Sequence, residues 1–352
     1  MFMKQSIIIS KCLNQDLDNI ISECQHDKIF IITDDTTKEK CLPLLNGIKA
    51  TGNAEIISIK PTDANKNIES LAYVWKRLSD NGATRHSCTI NLGGGMVTDL
   101  GGFAASTFKR GMNFINIPTT LLAMIDASVG GKTGINFNGL KNEIGVFNDA
   151  KAVIIDTKFL KTLDAENICS GYAEMIKHGL ISNEDTWSRL MGFDILEPDY
   201  IQLQEMVAES IAVKERIVEK DPYEAGIRKA LNFGHTVGHA FESFSLATGH
   251  PMLHGYAVAF GMVCELYLSC IKTGFPTVKM RQTAAYIKEK YGSPTFTCND
   301  YKHLQKLMKH DKKNTAGCIN FTLLSDIGDI KINQTVTEEE LFESLDFIRE
   351  GV

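Results

Sequence analysis

The residues in this sequence best suited to hold a metal ion are two histidines four positions apart, His235 and His239, and a third at His254. In a helical stretch, side chains four apart share a face, so two imidazoles can converge on one point. The H-x-x-x-H spacing resembles zinc sites, but Thr236 stands where a zinc protease needs its general-base glutamate, which argues against proteolysis. Alone, such a pair serves a core or a surface as readily as a metal. Two further segments add weight. Glu174 and Lys177, within Ser170–His178, fall on one helical face, and His254 opens another helix after Leu253. One carboxylate and two imidazoles would form a three-ligand site with an open position, the arrangement of catalytic rather than structural zinc. Gly234 and Gly238 would each cost about 1 kcal/mol relative to alanine inside a helix, so close backbone packing or ligand approach is expected there.

A second kind of chemistry lies upstream. Thr89–Leu92 reads as a strand running into Gly93-Gly94-Gly95-Met96 and then a helix bearing Asp99. Glycines let a backbone approach a pyrophosphate, and the first N–H groups of the following helix favour its charge. The pattern is not G-x-G-x-x-G, and an ordinary strand-to-helix turn looks the same. After the next strand, Thr119 and Thr120 place hydroxyls at another strand end, for cofactor contact or for capping the helix that follows. Arg110, Lys132, Lys214, Arg228, Lys312 and Lys313 would each pass singly for a solvated surface charge; their juxtaposition with the glycines and histidines points to an anion pocket.

The elements that must position these groups follow two grammars. Ile29–Thr33, Ile56–Ile59, Thr89–Leu92, Phe114–Ile117 and Val153–Ile155 read as short strands, separated by amphipathic stretches such as Ile68–Leu78. That alternation predicts a mainly parallel α/β sheet, whose ligands gather at the carboxyl ends of its strands. From Lys158 onward the segments lengthen to helical size, at Leu203–Val218, Ala230–Ser245 and Tyr256–Ile271, with a hairpin from Ile319–Leu324 and Ile330–Ile332 around Gly328. Two domains are expected, an α/β domain over residues 1–157 and a helical one over 158–352.

Composition narrows the function classes. With 43% hydrophobic and 23% charged residues the chain is of ordinary globular type. A net charge of −6 and no long basic run give little support to nucleic acid or an anionic membrane as partner. Nine scattered cysteines without a C-x-x-C pair read as reduced thiols. Ser6–Ser10 is too short for a signal-peptide core, and Tyr256–Ile271, which contains Glu265, is too short for a membrane span, so the cytoplasm is the expected location.

Read in order, the chain carries G-G-G-x-x-x-D (Gly93 to Asp99), R-G (Arg110-Gly111), P-T-T-L-L-A-x-x-D-x-x-x-G-G-K-T (Pro118 to Thr133) and G-x-K-N (Gly139 to Asn142). There follow G-x-A-E-x-x-K-x-G (Gly171 to Gly179), R-x-x-L-N-x-G-H-T-x-G-H-A (Arg228 to Ala240), H-G-x-A-V (His254 to Val258) and D-K-K (Asp311 to Lys313). By these eight ordered motifs the chain resembles the 3-dehydroquinate synthase family of sugar phosphate cyclases, from about Ile29 to Asp329. The resemblance implies an α/β nucleotide-binding domain followed by a mainly α-helical domain, a homodimer, and two cofactors, NAD and one divalent metal ion, zinc or cobalt.

It also implies roles. Glu174, His235 and His254 would ligate the metal, with His239 a substrate or proton-transfer residue, which revises the spacing argument above. Lys132, Lys177, Lys214, Arg228, Asn232 and His239 would form the catalytic set. Asp126, Asn142, Lys312 and Lys313 would bind substrate, and Arg110 would reach its phosphate across a dimer interface. NAD would lie along Asp34, Asp63, Lys66, Gly94, Gly95, Met96, Asp99, Thr119, Thr120 and Lys141. The implied substrate is 3-deoxy-arabino-heptulosonate 7-phosphate, which is oxidised by NAD, loses phosphate, is reduced again and closes by an intramolecular aldol reaction to 3-dehydroquinate. Another sugar phosphate cyclase, or a metal-dependent polyol dehydrogenase of similar fold, is the alternative. Two positions depart from the family pattern: Asp63 where a glutamate is usual near the adenosine ribose, and Tyr256 where H-G-E-A-V is common.

Overall fold

The computed structural model describes residues 5–138, 140–309 and 319–351. Lys312 and Lys313 lie outside them. The chain divides into two compact units, Met1–Asp164 with Asp199–Ile211, and Ala165–Pro198 with Ala212–Val352.

In the first unit the strands are β1 (Ser6–Ile9), β2 (Ile29–Asp34), β3 (Glu55–Ile59), β4 (Cys88–Gly93), β5 (Asn113–Pro118), β6 (Lys132–Phe137), β7 (Leu140–Phe147) and β8 (Ala152–Ile155). Helices α1 (Leu13–Glu23), α2 (Asp35–Lys40), α3 (Ile68–Asp80) and α4 (Gly95–Thr107) lie between them. Six strands form one parallel sheet in the order β1-β8-β5-β4-β2-β3. Every residue of β2 and β4 is buried, as expected for strands covered on both faces; the polar side chains among them are buried too, Asn91 of β4 bonding Asn116 of β5 at 2.9 Å. The chain leaves β2 for β3 on one side, while β4 lies on the other, so the strand order switches between β2 and β4. Asp34 and Gly93 end these two strands, at the place where open α/β sheets bind ligands. All five strands expected from sequence are present. Two elements were not anticipated: edge strand β1, paired with β8, and the antiparallel hairpin β6–β7.

The second unit contains α5 (Ala165–Leu180), α6 (Glu184–Met191), the last turns of α7 (Tyr200–Lys220), α8 (His235–Ala247), α9 (His254–Thr273), α10 (Thr277–Tyr291), α11 (Tyr301–Lys309) and α12 (Glu338–Asp346). The expected hairpin is β9 (Phe321–Asp326) with β10 (Asp329–Gln334), turning at Gly328 with φ 80°. Helix α9 is apolar on all sides because α5, α8, α10, α12 and β9 surround it. By length and composition alone it could cross a membrane, but 72% of its apolar window is buried inside the fold. The helix expected over Ala230–Ser245 is broken. A 3₁₀ turn, Ile227–Asn232, ends before Gly234, whose φ of 80° is left-handed, and α8 starts only at His235. Gly234 therefore ends a turn rather than occupying a helix interior, and its conformation is the reason for glycine there.

Candidate metal centre and nucleotide cradle

Three helices of the second unit bring one carboxylate and two imidazoles together. Glu174 lies in the third turn of α5, His235 is the first residue of α8 and His254 the first of α9. Nε2 of His235 is 3.3 Å, and Nε2 of His254 3.4 Å, from the same oxygen of Glu174, Oε1. Two ligands bound at 2.0–2.1 Å to a tetrahedral centre stand about 3.4 Å apart, so these spacings suit a zinc-like ion. Glu174 is fully buried; Lys177 pairs with its Oε2, while Oε1, the oxygen facing both imidazoles, has no hydrogen-bond partner of good geometry. A buried carboxylate left so is costly unless a cation completes it. The donor set, two nitrogens and a carboxylate, fits zinc or cobalt.

Electrostatics agree with that reading. Burial presses the Glu174 carboxyl upward, but the Lys177 ammonium paired with it and the His235 and His254 rings outweigh this, holding it well below the usual carboxylate range. Burial presses the His254 imidazolium down, yet the adjacent carboxylates of Glu174 and Glu242 prevail and raise it to about 10. His239 stands beside the cluster, its ring 5.3 Å from that of His235 and 5.9 Å from that of His254, but it is not among the converging donors. The spacing pair His235/His239 is thus one ligand and one neighbour.

The second unit also buries three cations, of which Lys177 pairs with Glu174. Lys177 is 1% exposed, Lys214 6% and Arg228 3%. Arg228 is placed by Asp221, whose Oδ2 accepts from the backbone N–H of Gly226 (2.7 Å) and of Arg228 (3.0 Å), and its guanidinium donates to the carbonyl of Pro222 at 2.5 Å. Asn232 donates through Nδ2 to Oε1 of Glu224 at 2.7 Å. Asp221 and Glu224 were not anticipated as parts of the site.

What lets the three ligand helices meet is the missing Cβ at two close approaches. A Cβ on Gly255 would lie 1.8 Å from the carbonyl oxygen of Ser170 on α5, and one on Gly261 would lie 1.9 Å from that of Gly234. Because backbone cannot give way as a side chain can, Gly255→Ala should push α9 from α5. We expect a stability loss of about 2–4 kcal/mol by urea denaturation and weaker metal binding. A variant as stable as the native chain would show that the contact is relaxed in solution.

In the first unit, β4 delivers Gly93, Gly94 and Gly95 to the start of α4, and no side chain caps that helix. A Cβ on Gly94 would come within 3.1 Å of Thr120 Cγ2, so the loop lies flat against the turn after β5. Thr120 Oγ1 accepts from the N–H of Ala123 (3.2 Å), the capping role considered above, while buried Thr119 donates its N–H to the carbonyl of Gly93 (3.0 Å). Asp34 caps α2: its oxygens accept from the N–H of Thr37 (3.0 Å) and from its hydroxyl (2.7 Å). Lys66, 4% exposed, ion-pairs with Asp99 and donates to Oδ1 of Asn142 at 2.5 Å. Burial raises the Asp99 carboxyl above its ordinary value; Lys66 pulls it down, while Asp126 and Asp63 push it further up. Lys141 pairs with Asp63 at 3.5 Å, and Asn136 donates to the same Asp63 carboxylate at 3.2 Å. Met96 is in the first turn of α4, Asp126 in the turn Ala123–Ala127, and Lys132 opens β6, exposed. An uncapped helix start, glycines against it and flanking polar groups fit a dinucleotide pyrophosphate.

Comparison with known proteins bears on both halves. The N-terminal model of 3-dehydroquinate synthase matches residues 56–170 and the C-terminal model residues 171–314. A 3-dehydroquinate synthase of Parabacteroides distasonis is 57% identical over 348 residues, 99% of each chain. The chain belongs to the 3-dehydroquinate synthase family. A Pyrococcus furiosus 3-dehydroquinate synthase is 37% identical over 94% of this chain and 95% of its own. In fold, the chain is similar to 2-epi-5-epi-valiolone synthase from Streptomyces hygroscopicus subsp. jinggangensis, solved with NAD+ and Zn2+ bound (TM-score 0.88, 23% identity, 100% of this chain and 98% of that one). It is likewise similar to 2-deoxy-scyllo-inosose synthase complexed with carbaglucose-6-phosphate, NAD+ and Co2+ (TM-score 0.85, 22% identity, 98% and 96%).

Within the 3-dehydroquinate synthase family this chain's two departures have local explanations. Asp63, though a methylene shorter than glutamate, is tied to Asn136 and Lys141. Tyr256 packs edge-on against Tyr291 with ring centroids 5.1 Å apart, and the Tyr291 hydroxyl donates to the carbonyl of Cys169 at 2.9 Å. The position that is glutamate in H-G-E-A-V serves here in an aromatic pair between α9 and α10.

Proposed function

We propose that this chain is a 3-dehydroquinate synthase that converts 3-deoxy-arabino-heptulosonate 7-phosphate into 3-dehydroquinate and phosphate, using NAD and one divalent metal ion. The observation that carries the reading is the meeting of Glu174, His235 and His254 beside His239 and the buried Lys177, in a chain 57% identical to a member of that name. When bound, the nicotinamide and the metal supply reversible oxidation of a substrate hydroxyl and polarisation of its oxygen. The chain's own residues do the rest. Lys177, Lys214 and Arg228 hold charge where water is scarce, which suits charge-assisted bonds to an anion bearing both a carboxylate and a phosphate. His239, with Asn232 nearby in sequence, moves a proton at the substrate hydroxyl. Asp126, Lys132 and Asn142 orient the substrate, and Asp34, Asp63, Lys66, Gly94, Gly95, Met96, Asp99, Thr119, Thr120 and Lys141 bind the dinucleotide. The substrate's phosphate serves as the base for its own elimination, so the protein mainly orients and stabilises charge.

A phosphate-release assay tests this. With NAD and Zn2+ or Co2+, release is expected from the heptulosonate phosphate, and not from glucose 6-phosphate or sedoheptulose 7-phosphate; chelator should stop it. Preferred turnover of either of these carboxylate-free sugar phosphates would assign the chain to another cyclase, and net NADH accumulation with a simple polyol would make it a dehydrogenase.

The working form proposed is a cytoplasmic homodimer. The eight described cysteines are all free thiols, which supports a reducing compartment. Strand β7 is exposed at every residue and, among the described residues, pairs only with β6, presenting Leu140 (55% exposed) and Phe147 (53%) on an open edge. Lys109 (φ 48°) and Arg110 (φ 69°) are consecutive left-handed residues on an exposed turn, strain that supports a task for Arg110 beyond its own unit. Sedimentation should give a dimer that Leu140→Glu with Phe147→Glu converts to monomer; a native monomer at micromolar concentration would sink the reading.

A further inference from the structure

We propose that α8 and α9 hold the two metal-binding histidines in a reciprocal clasp: Glu242 of α8 fixes His254 of α9, and Glu265 of α9 fixes His235 of α8. The inference rests on Glu174, His235 and His254 being the metal centre. Each helix presents an imidazole at its first residue and a carboxylate further along, about two turns on in α8 and about three in α9.

On one side, Nδ1 of His254 lies 3.1 Å from Oε2 of Glu242. A carboxylate only accepts, so Nδ1 must carry the proton it donates, and Nε2, 3.4 Å from Glu174, is left with its lone pair toward the metal position. A carboxylate behind a ligating imidazole also raises its basicity and fixes its plane. On the other side, Glu265 is fully buried in a helix otherwise lined with apolar residues. Its Oε2 accepts the N–H of Gly234 at 2.6 Å, and its Oε1 accepts those of Thr236 at 3.0 Å and Val237 at 3.3 Å. These amides lie on both sides of His235 in the chain, so one carboxylate sets where that residue stands. The ring itself is turned by its own segment: Nδ1 of His235 donates to the carbonyl of Phe233 at 3.1 Å, leaving Nε2 for the metal.

The two carboxylates are therefore positioning residues with different consequences. Glu242→Gln retains an acceptor oxygen but loses the charge; Glu242→Ala loses both. Glu265→Gln cannot be accommodated quietly, since both oxygens receive N–H groups and either orientation of the amide sets its NH2 against a backbone donor.

The test is Co2+ binding to the full chain, by competition with a chromophoric chelator and by the visible spectrum of the bound ion, with circular dichroism as the check on folding. Glu242→Gln is expected to weaken Co2+ binding about 10-fold and Glu242→Ala up to about 100-fold, both with an altered Co2+ spectrum and an unchanged fold. Glu265→Gln should weaken binding comparably and lower thermal stability. A merely structural Glu242 would shift stability without moving the Co2+ spectrum. Affinity within twofold of native and an identical spectrum in both Glu242 variants would overturn the clasp while leaving the metal centre intact. No Co2+ binding by the native chain, or native binding by His235→Ala, would overturn the metal centre and the clasp with it.

Discussion

Replacing Glu174 with glutamine should abolish metal binding and lower turnover by ~10^3-fold or more. A metal acting on a substrate oxygen is worth several kcal/mol in the transition state, and each 1.36 kcal/mol is about tenfold in rate. The glutamine keeps the size of Glu174 but removes the negative charge that two imidazoles and the Lys177 ammonium surround. Stability should fall as well. Lys177 is 1% exposed, and taking away the carboxylate of a buried pair costs about 3–5 kcal/mol because the remaining charge has no counterpart. The sign with pH follows from the depressed carboxyl of Glu174. A carboxyl held below its ordinary value of 4.5 contributes stability that is present above that pH and is lost as pH falls through the lower folded value. In metal-free protein, native and variant chains should therefore differ most near neutrality and converge in acid. Denaturant melts at pH 7 and pH 3, with Co2+ titration at pH 7, measure all three effects. Retention of Co2+ affinity by the variant would show that the ion, if any, sits elsewhere.

How much of this was legible beforehand depended on whether the relevant physics was local. β2, β4 and β5 are recognisable because strands buried on both faces are short runs rich in β-branched and apolar residues, bounded by turn signals, even where a buried pair such as Asn91–Asn116 interrupts them. β1 has four residues, too few to show a period, and β7, exposed at every position, carries no alternation at all. The break at Phe233–Gly234 is hidden because Ala230, Leu231 and Phe233 are all buried, so the apolar pattern runs through a place where the backbone reverses. For the site, helical spacing alone selected His235 with His239, whereas the pairing with Glu174 and His254 depends on α5, α8 and α9 meeting; the family resemblance supplied it and periodicity could not. Glu242 did leave a trace, standing three residues after His239 and seven after His235, on the helical face that carries both. Glu265 left a subtler one. A lone acid in an apolar helix counted only against a membrane span, although burial of a carboxylate at that place requires donors, and the start of α8 provides them.

Lys66→Met should raise the dissociation constant for NAD by about 10^2-fold while leaving Co2+ affinity within twofold. Lys66 ion-pairs with Asp99 on α4, bonds Asn142 on β7, and through its carbonyl accepts the N–H of Asn136 on β6 at 2.7 Å. Removing the ammonium leaves Asp99 with the terms that already raise its pKa, burial and the nearby Asp126 and Asp63, so this carboxyl is driven further toward its neutral form. A hydrogen bond to a charged group is worth about 1.5–3 kcal/mol, and about 1.4 kcal/mol corresponds to tenfold in affinity, which sets the expected size. Co2+ affinity is the control, because Lys66, Asp99 and Asn142 are not among the converging donors Glu174, His235 and His254. Pairing the change with Asp99→Asn separates charge from packing. If the stability lost in Lys66→Met comes from the stranded carboxylate, the double variant should recover part of it, since removing both members of a buried pair is milder than removing one. Calorimetric titration with NAD+ and thermal melts of the three variants decide it, and unaltered NAD affinity in Lys66→Met would remove this residue, and the Asp99 pair with it, from the nucleotide site.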